Sequence, residues 1–571
     1  MSRFLAPTAA GFNLDLNGPF AKVIAHGVVA QLGEHLSGRQ EVTGSIPVNS
    51  TIFLSRDRRN RSSPVKAADD SMTPQAASRG DGADGPAAKD PLMATFVCVF
   101  EDKKFSNFFP LSLSQPVFEL RIGFHSLRLR LAQEIDADKR GALCRDYLAP
   151  ALRLRDPEIV VNDVPSGSAV FVNGRLLCYG DELRELLDRL PDGAIAVKGG
   201  YVVAARLSGK AAEEFAAYVR RRISDETIGQ LCDELSGYVT RTAKAGSGKQ
   251  RKRTILSQEA GEGTYEDDHA VGQDSLAEKL PKQLLDLIDQ HGLKRLEVSD
   301  ARLLSFPWQI IEENPGAIED DFQKSPFRGQ SEEAVVYPGA RMVGEENILV
   351  GEGVVVKPGV VLDASSGPIV INDGATVMAN AVVLGPAYIG RNSVVKAGAK
   401  ILEGTSIGDV CKVGGEVGNT VFGNYSNKQH DGFVGHSYIG EWVNIGAGAN
   451  NSDLKNNYSA VRMWCAGMVR ETGRQFLGFI MGDHTKVGIG ATFNSGTVVG
   501  FNCNIYGSEA PNRFVPSFSW GRGAEMSDYV LEKAMLTAQV VMERRDVKFT
   551  DAHQQVFQRI FDLSGRCARN V

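Results

Sequence analysis

The sequence predicts two fold classes in one chain: an α/β domain, then a parallel β-helix that ends in short helices. The chain has 571 residues, too many for one compact domain. Aliphatic residues recur at every sixth position through much of its second half. Ahead of that repeat, short apolar runs of strand length alternate with helical patterns. Together these observations indicate at least two domains of different architecture.

The overall composition is that of an ordinary water-soluble protein. Hydrophobic residues make up 43% and charged residues 23% of the chain, and the net charge is only -6. This balance offers no general attraction for nucleic acid or anionic lipid, and no apolar run reaches the roughly 18–20 residues of a membrane span. The 8 cysteines contain no C-x-x-C pair, which is typical of reduced thiols. We therefore expect a cytoplasmic protein without nucleic-acid or membrane partners.

Residues 1–92 differ from the remainder of the chain. Residues 57–90 are rich in small, charged and turn-forming types and poor in aliphatics, so we expect them to be disordered. Residues 28–36 and 41–50 resemble the conceptual translation of a transfer-RNA gene, which makes Met93 the expected natural start. The alternative is a genuine flexible tail.

Residues 93–240 are predicted to form the α/β domain. A strand-like run opens it at 94–100, and helical patterns cover 127–133 and 181–190. Three further β-branched runs have strand length: 159–161, 169–172 and 194–197. Residues 241–278 become basic, then acidic and Gly-rich, which predicts a solvated linker or insertion, and 279–334 are predicted to be a helical connector.

Residues 335–515 carry the strongest pattern, a period of six. Eight aliphatic positions follow one another without a miss: Ile371, Val377, Val383, Ile389, Val395, Ile401, Ile407 and Val413. Two further registers run through Ile439 and Ile445 and from Met481 to Ile505. In a triangular coil one side chain per face points into a narrow interior, and only an aliphatic residue fills it. A helix is excluded because six is neither 3.5 nor 3.6, so the spacing predicts a parallel β-helix.

Residues 516–571 are predicted to form a helical C-terminal cap. Apolar residues recur at helical spacing over 527–544 and 551–563. Such a cap would protect the strand edges of the terminal coil. A binding role for these helices is the alternative.

Two segments, 424–436 and 450–458, break the hexad pattern and concentrate polar residues. A histidine such as His430 or His436 can remove a proton near neutral pH. Lys428 and Lys455 are candidates to hold a phosphate. The asparagines Asn444, Asn456 and Asn457 are candidates to hold sugar hydroxyls. The alternative is structural: asparagines fill left-handed corners and histidines cap coil ends.

Residues 435–448 resemble the acetyltransferase half of the bifunctional N-acetylglucosamine-1-phosphate uridylyltransferase / glucosamine-1-phosphate N-acetyltransferase. Residues 426–458, 479–501 and 514–521 are more similar to a divergent bacterial branch of sugar nucleotidyltransferases with the same two-domain plan. The resemblance covers most of residues 93–571. It implies a Rossmann-like nucleotidyltransferase-type domain, a left-handed hexapeptide β-helix and a homotrimer.

The resemblance also implies residue roles in the β-helix. The base for acetyl transfer falls on His430, and Asn444 falls on a sugar-contacting asparagine. The aromatic contact of the family falls on Phe433 and the arginine of its Arg-Pro-Gly on Lys396. The complete predicted set of substrate-binding residues is Asn427, Lys428, His436, Asn444, Asp453, Lys455 and Asn456.

In the N-terminal domain the nucleotide loop of the family falls on 105–123. The loop arginine of the family becomes Asn107 and its lysine becomes Val117, which leaves Arg121 as the nearest cation. Asn173-Gly174 stands at the position of the metal-binding Gly-Asp. The predicted nucleotide-binding residues are therefore Asn107, Arg121 and Asn173, with Asp102 as the predicted metal ligand. A structural remnant is the alternative for this domain.

These residues predict a transferase. The β-helix would move an acyl group from acetyl-CoA to an amino sugar phosphate, and the N-terminal domain would join UTP or dTTP to a sugar-1-phosphate with Mg²⁺. One alternative is a nucleotidyltransferase with a regulatory β-helix. Another is a trimeric scaffold that binds sugar nucleotides without turnover.

Overall fold

The computed structural model describes residues 94–135, 137–165, 167–224 and 279–568. The predicted N-terminal extension, 1–92, and the predicted linker, 241–278, lie outside these residues.

A seven-stranded sheet forms the core of the N-terminal domain. Its strands are β1 (Ala94–Phe100), β2 (Ala137–Leu143), β3 (Val160–Val161), β4 (Ser168–Asn173), β5 (Ala194–Lys198), β6 (Tyr201–Ser208) and β7 (Lys294–Glu297). Their spatial order is β3-β2-β1-β4-β6-β5-β7, and only β6 runs antiparallel to its neighbours. The strand order reverses between β1 and β4, so their carboxyl ends form the crevice where such sheets usually bind ligands.

Helices cover this sheet and continue into the second domain. They are α1 (Leu127–Gln133), α2 (Ala149–Arg155), α3 (Glu182–Asp188), α4 (Gly209–Arg222), α5 (Lys282–His291), α6 (Pro307–Lys324), α7 (Leu531–Glu543) and α8 (Asp551–Ala568). Strand β7 and helix α5 come from the segment predicted to be a helical connector. That segment therefore contributes a strand to the first domain as well as the helix α6 that leads to the second.

The second domain is a left-handed parallel β-helix with three faces. Face 1 is built from Gly329–Gln330, Ile348–Val350, Ile369–Ile371, Ala387–Ile389, Thr405–Ile407, Val421–Phe422, Tyr438–Ile439, Ile480–Met481, Val498–Val499 and Phe514–Val515. Face 2 is built from Val335–Val336, Val355–Val356, Thr376–Val377, Val394–Val395, Lys412–Val413, Asn427–Lys428, Asn444–Ile445, Lys486–Val487, Asn504–Ile505, Ser519–Arg522 and Glu525–Asp528. Face 3 is built from Arg341–Val343, Val361–Asp363, Val382–Leu384, Lys400–Ile401, Glu416–Gly418 and Phe433–Gly435, followed by the pair Asn450–Asn451 and Thr492–Phe493.

The hexad residues are the inward-pointing side chains of these faces. Ile371, Ile389 and Ile407 stack in register on face 1 and are at most 1% exposed. Corners between faces require left-handed backbone, which Asn380 and Asn392 adopt with φ of 61° and 54°. The sequence prediction of a β-helix is confirmed.

The predicted interruption at 424–436 does not exist, because this segment forms coil strands on faces 2 and 3. Two changes hide the repeat in the sequence. Register partners are 18 residues apart at Ile389 and Ile407 but only 15 apart at Ile407 and Phe422. In addition, Lys428 takes an inward position, in register with Val413, where the pattern requires an aliphatic.

The second predicted interruption is real. The chain leaves the coil after Asn451 and returns at Ile480. The inserted residues form an antiparallel hairpin of Arg462–Cys465 and Met468–Glu471. Trp464 in this hairpin stacks on Phe514 of face 1 at a centroid distance of 3.8 Å.

The N-terminal domain packs against face 1. The backbone N–H of Arg121 donates to the Tyr438 hydroxyl at 2.8 Å, and Phe124 stacks on Tyr388 at 4.8 Å. Asn314 of α6 accepts a hydrogen bond from Ser406 and donates one to the Gly404 carbonyl. Faces 2 and 3 remain exposed over the first coils.

The C-terminal helices lie along the side of the β-helix. Phe557 of α8 contacts His484 and Phe501, and Phe518 lies against the same ring, so α8 covers three successive coils. The open end of the last coil is closed by the antiparallel pair Ser519–Arg522 and Glu525–Asp528. Among the described helices, none is long and apolar enough to cross a membrane.

The inward and outward orientations can be tested at two adjacent residues of one strand. Ile401 points inward and is fully buried, whereas Lys400 beside it is exposed. Ile401→Ala should lower the free energy of unfolding by about 2–5 kcal/mol, because a cavity remains in a closely packed interior. Denaturant unfolding followed by tryptophan fluorescence measures the change. Lys400→Ala is the control, and an equal loss in both variants would contradict the assigned orientation.

Candidate functional site

The predicted nucleotide and metal residues lie where β1 and β4 end, but they bind one another. Asp102 Oδ1 accepts hydrogen bonds from Arg175 Nε at 2.8 Å and from the Lys104 backbone N–H at 3.0 Å. Its Oδ2 accepts from Arg175 Nη2 at 2.5 Å and from Asn173 Nδ2 at 2.9 Å. Burial alone would raise the pKa of Asp102, but the Arg175 guanidinium and these donors hold it below its usual value.

This arrangement does not fit Mg²⁺. The cation needs oxygen atoms with free lone pairs and near-octahedral geometry, whereas each Asp102 oxygen already accepts two hydrogen bonds. Throughout the described residues, no group of three or more His, Cys, Asp or Glu side chains is placed to hold a metal ion. Asp102 is therefore not available as a magnesium ligand in this arrangement.

Asn107 and Arg121 are also engaged within the chain. Asn107 is buried and its Nδ2 donates to the Ser305 carbonyl at 2.9 Å. Arg121 donates to the Phe124 carbonyl at 2.5 Å and to Asn424 Oδ1 of the β-helix at 2.9 Å. Both residues connect the N-terminal domain to later parts of the chain.

The β-helix residues predicted to bind substrate are divided between the two ends of face 3. Asn427 and Asn444 are neighbours in register on face 2, and His430 is exposed at the corner between faces 2 and 3. His436 lies six residues later, at the corner between faces 3 and 1. The strand Phe433–Gly435 separates the two histidines, so they occupy different corners of the coil.

The side chains of His436 and Asp453, both predicted to bind substrate, are paired with each other. His436 Nδ1 lies 2.8 Å from Asp453 Oδ2, and the side chains are 30% and 16% exposed. The imidazole also stacks on Phe476 at a centroid distance of 5.4 Å. A carboxylate on Nδ1 holds the ring in the tautomer that leaves Nε2 as a proton acceptor. The geometry is that of an oriented general base.

The backbone around this pair is held firmly. His436 has a left-handed φ of 46°, which is uncommon for a residue with a bulky side chain. Asn451 replaces the missing strand pairing at the start of the insertion: its Oδ1 accepts from the Gly435 N–H and its Nδ2 donates to the Gly435 carbonyl, both at 3.0 Å. The inserted segment thereby brings Asp453 and Phe476 onto the corner occupied by His436.

The remaining predicted residues differ in their availability. Lys428 is buried, and its Nζ donates to the carbonyls of Gly414 and His430 at 3.0 and 2.8 Å. Burial lowers the pKa of Lys428 to about 8. Because its Nζ donates to two backbone carbonyls, this side chain supports the coil. Lys455 donates to the Ala460 carbonyl within the insertion, and Asn456 is exposed.

The exposed side of face 2 carries a cluster of cations that the hexad pattern did not predict. Lys412 is the register neighbour of Asn427, and Arg545 Nη2 donates to Asn427 Oδ1 at 3.0 Å. Burial, followed by the cations Arg545, Lys396 and Arg544, lowers the pKa of Lys412. Across the described chain, no carboxylate forms an ion pair with any of these four cations. The dibasic pair at 544–545 is the signal that could have indicated this surface.

A second missed cluster joins the N-terminal domain to the β-helix. Asp483 is buried, accepting from the Glu441 N–H at 2.8 Å and from Ser114 Oγ at 2.7 Å. Glu441 pairs with Arg155 at 2.6 Å. Burial and the Glu441 charge raise the pKa of Asp483 to about 7. The cluster is an interdomain contact, because Ser114 and Arg155 belong to the first domain.

A cleft of about 490 Å³ opens beside α6, away from all of these residues. Its acidic side chains include Asp320, which pairs with Arg130 and Lys324. It contains none of the predicted site residues. The cleft is therefore separate from the predicted site.

Comparison with known proteins matches both domains. Residues 97–239 match the sugar nucleotidyl transferase family model, and residues 368–403 match the bacterial transferase hexapeptide (six repeats) model. The bifunctional sugar-1-phosphate nucleotidylyltransferase/acetyltransferase of Sulfurisphaera tokodaii is 26% identical over 42% of this chain and 55% of its own length. The bifunctional protein GlmU of Methanocaldococcus jannaschii is 29% identical over 43% of this chain and 55% of its own length. The chain thus spans about half the length of these curated relatives.

Among solved structures, the UDP-N-acetylglucosamine acyltransferase from Campylobacter jejuni is 14% identical. It covers 39% of this chain and 94% of its own, with a TM-score of 0.23. A score this low carries no argument about function.

The Asp483 cluster predicts a pH-dependent stability difference. Because the folded pKa lies above the ordinary value near 4, the folded chain holds this proton, and that stabilisation is lost as pH rises through about 7. Asp483→Asn mimics the neutral acid, donating to Ser114 and accepting from Glu441. The variant should unfold at the wild-type temperature near pH 4, and its unfolding temperature should exceed that of wild type by an increasing margin as the pH rises to 8.

Thermal unfolding of both proteins at several pH values provides the measurement. Histidine titrations are common to the two proteins and cancel in the difference. The exposed Asp286→Asn serves as the control and should leave the pH profile unchanged. A difference between Asp483→Asn and wild type that does not vary with pH would contradict the raised pKa.

Proposed function

Since the chain joins a sugar nucleotidyl transferase domain to hexapeptide transferase repeats, we propose that it is a sugar-modifying transferase. Its β-helix transfers an acetyl group from acetyl-CoA to the amine of a phosphate-bearing sugar. The His436–Asp453 pair carries this proposal, because it supplies an oriented base beside an exposed surface. The S. tokodaii relative, named as a bifunctional sugar-1-phosphate nucleotidylyltransferase/acetyltransferase, supports the substrate class.

The chemistry follows from the geometry of the pair. The Asp453 carboxylate accepts a hydrogen bond from His436 Nδ1–H. His436 Nε2 accepts a proton from the sugar amine as the amine nitrogen attacks the thioester carbonyl. A C–N bond forms and the C–S bond breaks. The imidazolium then returns the proton to the departing CoA thiolate, so that the products are an amide and free CoA.

We assign the binding of the sugar phosphate to the cationic side of face 2. Lys412, Lys396, Arg544 and Arg545 lie together there without a paired carboxylate in the described chain, next to Asn427 and Asn444. Phosphate oxygens suit such a surface, and asparagine side chains can bind sugar hydroxyls. The site proposed here thus retains the predicted sugar-binding roles of Asn427 and Asn444.

We assign a homotrimer to complete the site. The phosphate surface lies on face 2, whereas the His436–Asp453 pair lies beyond the face 3 strand Phe433–Gly435, so we infer that two neighbouring subunits supply them to one substrate. Outward-pointing valines on the open faces, including Val335 and Val343 at 48% and 45% exposure, give neighbouring subunits an apolar surface. The pair of one subunit would then face the cations of the next.

The protein is assigned to the cytoplasm. CoA thioesters and sugar phosphates are supplied there, and reduced thiols suit that compartment. Cys98, Cys144, Cys178, Cys411, Cys465 and Cys503 are free. Burial raises the pKa of each of these thiols, which keeps them protonated and unreactive.

Substitution of the pair tests the acyl-transfer proposal. His436→Asn should lower kcat for acetylation by about 10²–10⁴-fold, because it removes the base while keeping Nδ1-side hydrogen bonding. Asp453→Asn should give a smaller loss and an altered pH profile. The measurement is mass spectrometry of products from acetyl-CoA and a panel of amino sugar phosphates and nucleotide sugars.

His430→Ala discriminates between the two candidate bases. If His430→Ala abolishes acetylation while His436→Asn retains it, the role of base passes to His430 and acyl transfer itself stands. If wild-type protein acetylates nothing in the panel, the proposed function fails.

The trimer has its own test. Val382→Glu places a charge on face 3 beside Val361, its register partner, and should convert the trimer to monomers in analytical ultracentrifugation. Val540→Glu, at a 50% exposed valine of α7, is the matched control and should leave the trimer intact. A wild-type monomer would contradict the shared site.

A further inference from the structure

The carboxyl edge of the N-terminal sheet is filled by ion pairs of the domain itself. Glu101 follows β1 and Arg145 follows β2, and neither side chain is exposed to solvent. Arg145 donates to both Glu101 oxygens at 3.0 Å and to the carbonyls of Ser112 and Gln115. Its guanidinium also lies 4.4 Å from the centre of the Phe105 ring. The crevice between the strand ends is therefore packed and not open.

The second pair, Asp102 and Arg175, fills the other half of the edge. Besides binding Asp102, Arg175 donates to the Leu304 carbonyl, and its own carbonyl accepts from the Leu304 N–H at 2.9 Å. These bonds tie the end of β4 to the segment that leads into α6. Lys198, at the end of β5, donates to the Ala301 carbonyl at 2.7 Å and anchors the same segment.

The loop after β1 is unsuited to holding phosphate. Residues 101–122 contain no glycine, although a loop that cradles phosphate needs small residues and exposed backbone N–H groups. Instead the loop begins as the 3-10 helix Lys103–Phe108, in which Phe105, Ser106, Asn107 and Phe108 are buried. The Asn107 carbonyl accepts a hydrogen bond from Cys465 Sγ of the β-helix insertion at 3.2 Å.

The outer side of this edge binds the β-helix. Ser114 donates to Asp483, Arg155 pairs with Glu441, and Arg121 bonds Tyr438 and Asn424. The β-helix residues come from successive coils on face 1 and its corner with face 2. Ser114 and Arg121 lie in the segment between β1 and α1, and Arg155 is the last residue of α2.

We infer that the carboxyl edge of the N-terminal sheet is an intramolecular docking surface for the β-helix and not a nucleotidyl-transfer site. The edge where this fold usually takes a nucleoside triphosphate instead holds the coils that carry Tyr438, Glu441 and Asp483. The domain fixes the position of the β-helix. This inference does not depend on the acyl-transfer proposal, which concerns faces 2 and 3.

The first test uses the wild-type chain with Mg²⁺, UTP or dTTP and a panel of sugar-1-phosphates. We expect no exchange of labelled pyrophosphate into triphosphate above the protein-free control, and no protection of residues 101–124 from amide hydrogen exchange by either nucleotide. Pyrophosphate exchange that disappears in Asp102→Asn would overturn the inference, as would nucleotide protection of this loop.

The second test measures docking directly. Arg121→Ala removes the bond to Asn424, and we expect amide exchange to rise at least several-fold together in 105–124 and in 421–441. The exposed Arg220→Ala, also in the N-terminal domain, is the control and should change neither segment. A rise confined to 105–124 would show that the loop does not hold the β-helix, and would overturn the docking role.

Acetylation assayed on the same samples separates the two proposals. Failure of acetylation in wild-type protein counts against the proposed function alone. Nucleotide binding or pyrophosphate exchange counts against the docking surface alone.

Discussion

The narrow interior of the β-helix is the constraint on which the structure depends. Each face of a coil must place one side chain inside, and stacked aliphatics such as Ile371, Ile389 and Ile407 are buried in that space. Corners must turn sharply between faces, which selects residues that tolerate left-handed backbone. Because the interior fixes the coils, the outward side chains can carry charge, aromatic rings and insertions without disturbing the fold.

The outward side chains of the three faces have different roles. Face 1 and its corner with face 2 are given to internal contacts, with the N-terminal domain and α8 packed against Tyr388, Tyr438 and His484. Faces 2 and 3 keep the polar and cationic residues. Burial in the first region lowers the pKa of His484 well below its usual range, as expected for a neutral ring packed among aromatics.

The N-terminal domain keeps the strand order of a ligand-binding sheet, but ion pairs occupy the edge where such sheets usually bind ligands. The strand order and the reversal between β1 and β4 are those that create a ligand crevice, and the match to sugar nucleotidyl transferases covers residues 97–239. Yet Arg145 and Arg175 bind the acids that follow β1. Buried pairs of this kind are held by several hydrogen bonds each, so opening them for a ligand would leave uncompensated charge.

The sequence by itself determined the β-helix, its insertion after Asn451 and the α/β character of the first domain, because a strict spacing of apolar residues has few structural solutions. It also indicated that residues 424–458 carry polar chemistry. It misplaced an interruption at 424–436, since Lys428 points inward where the pattern expects an aliphatic. Only the tertiary structure decided which polar residues meet. His436 and Asp453 come together because residues about one coil apart stack, and Asp102 meets Arg175 because adjacent loops return to one sheet edge. Such contacts depend on the path of the chain in space, which no local spacing of residue types records.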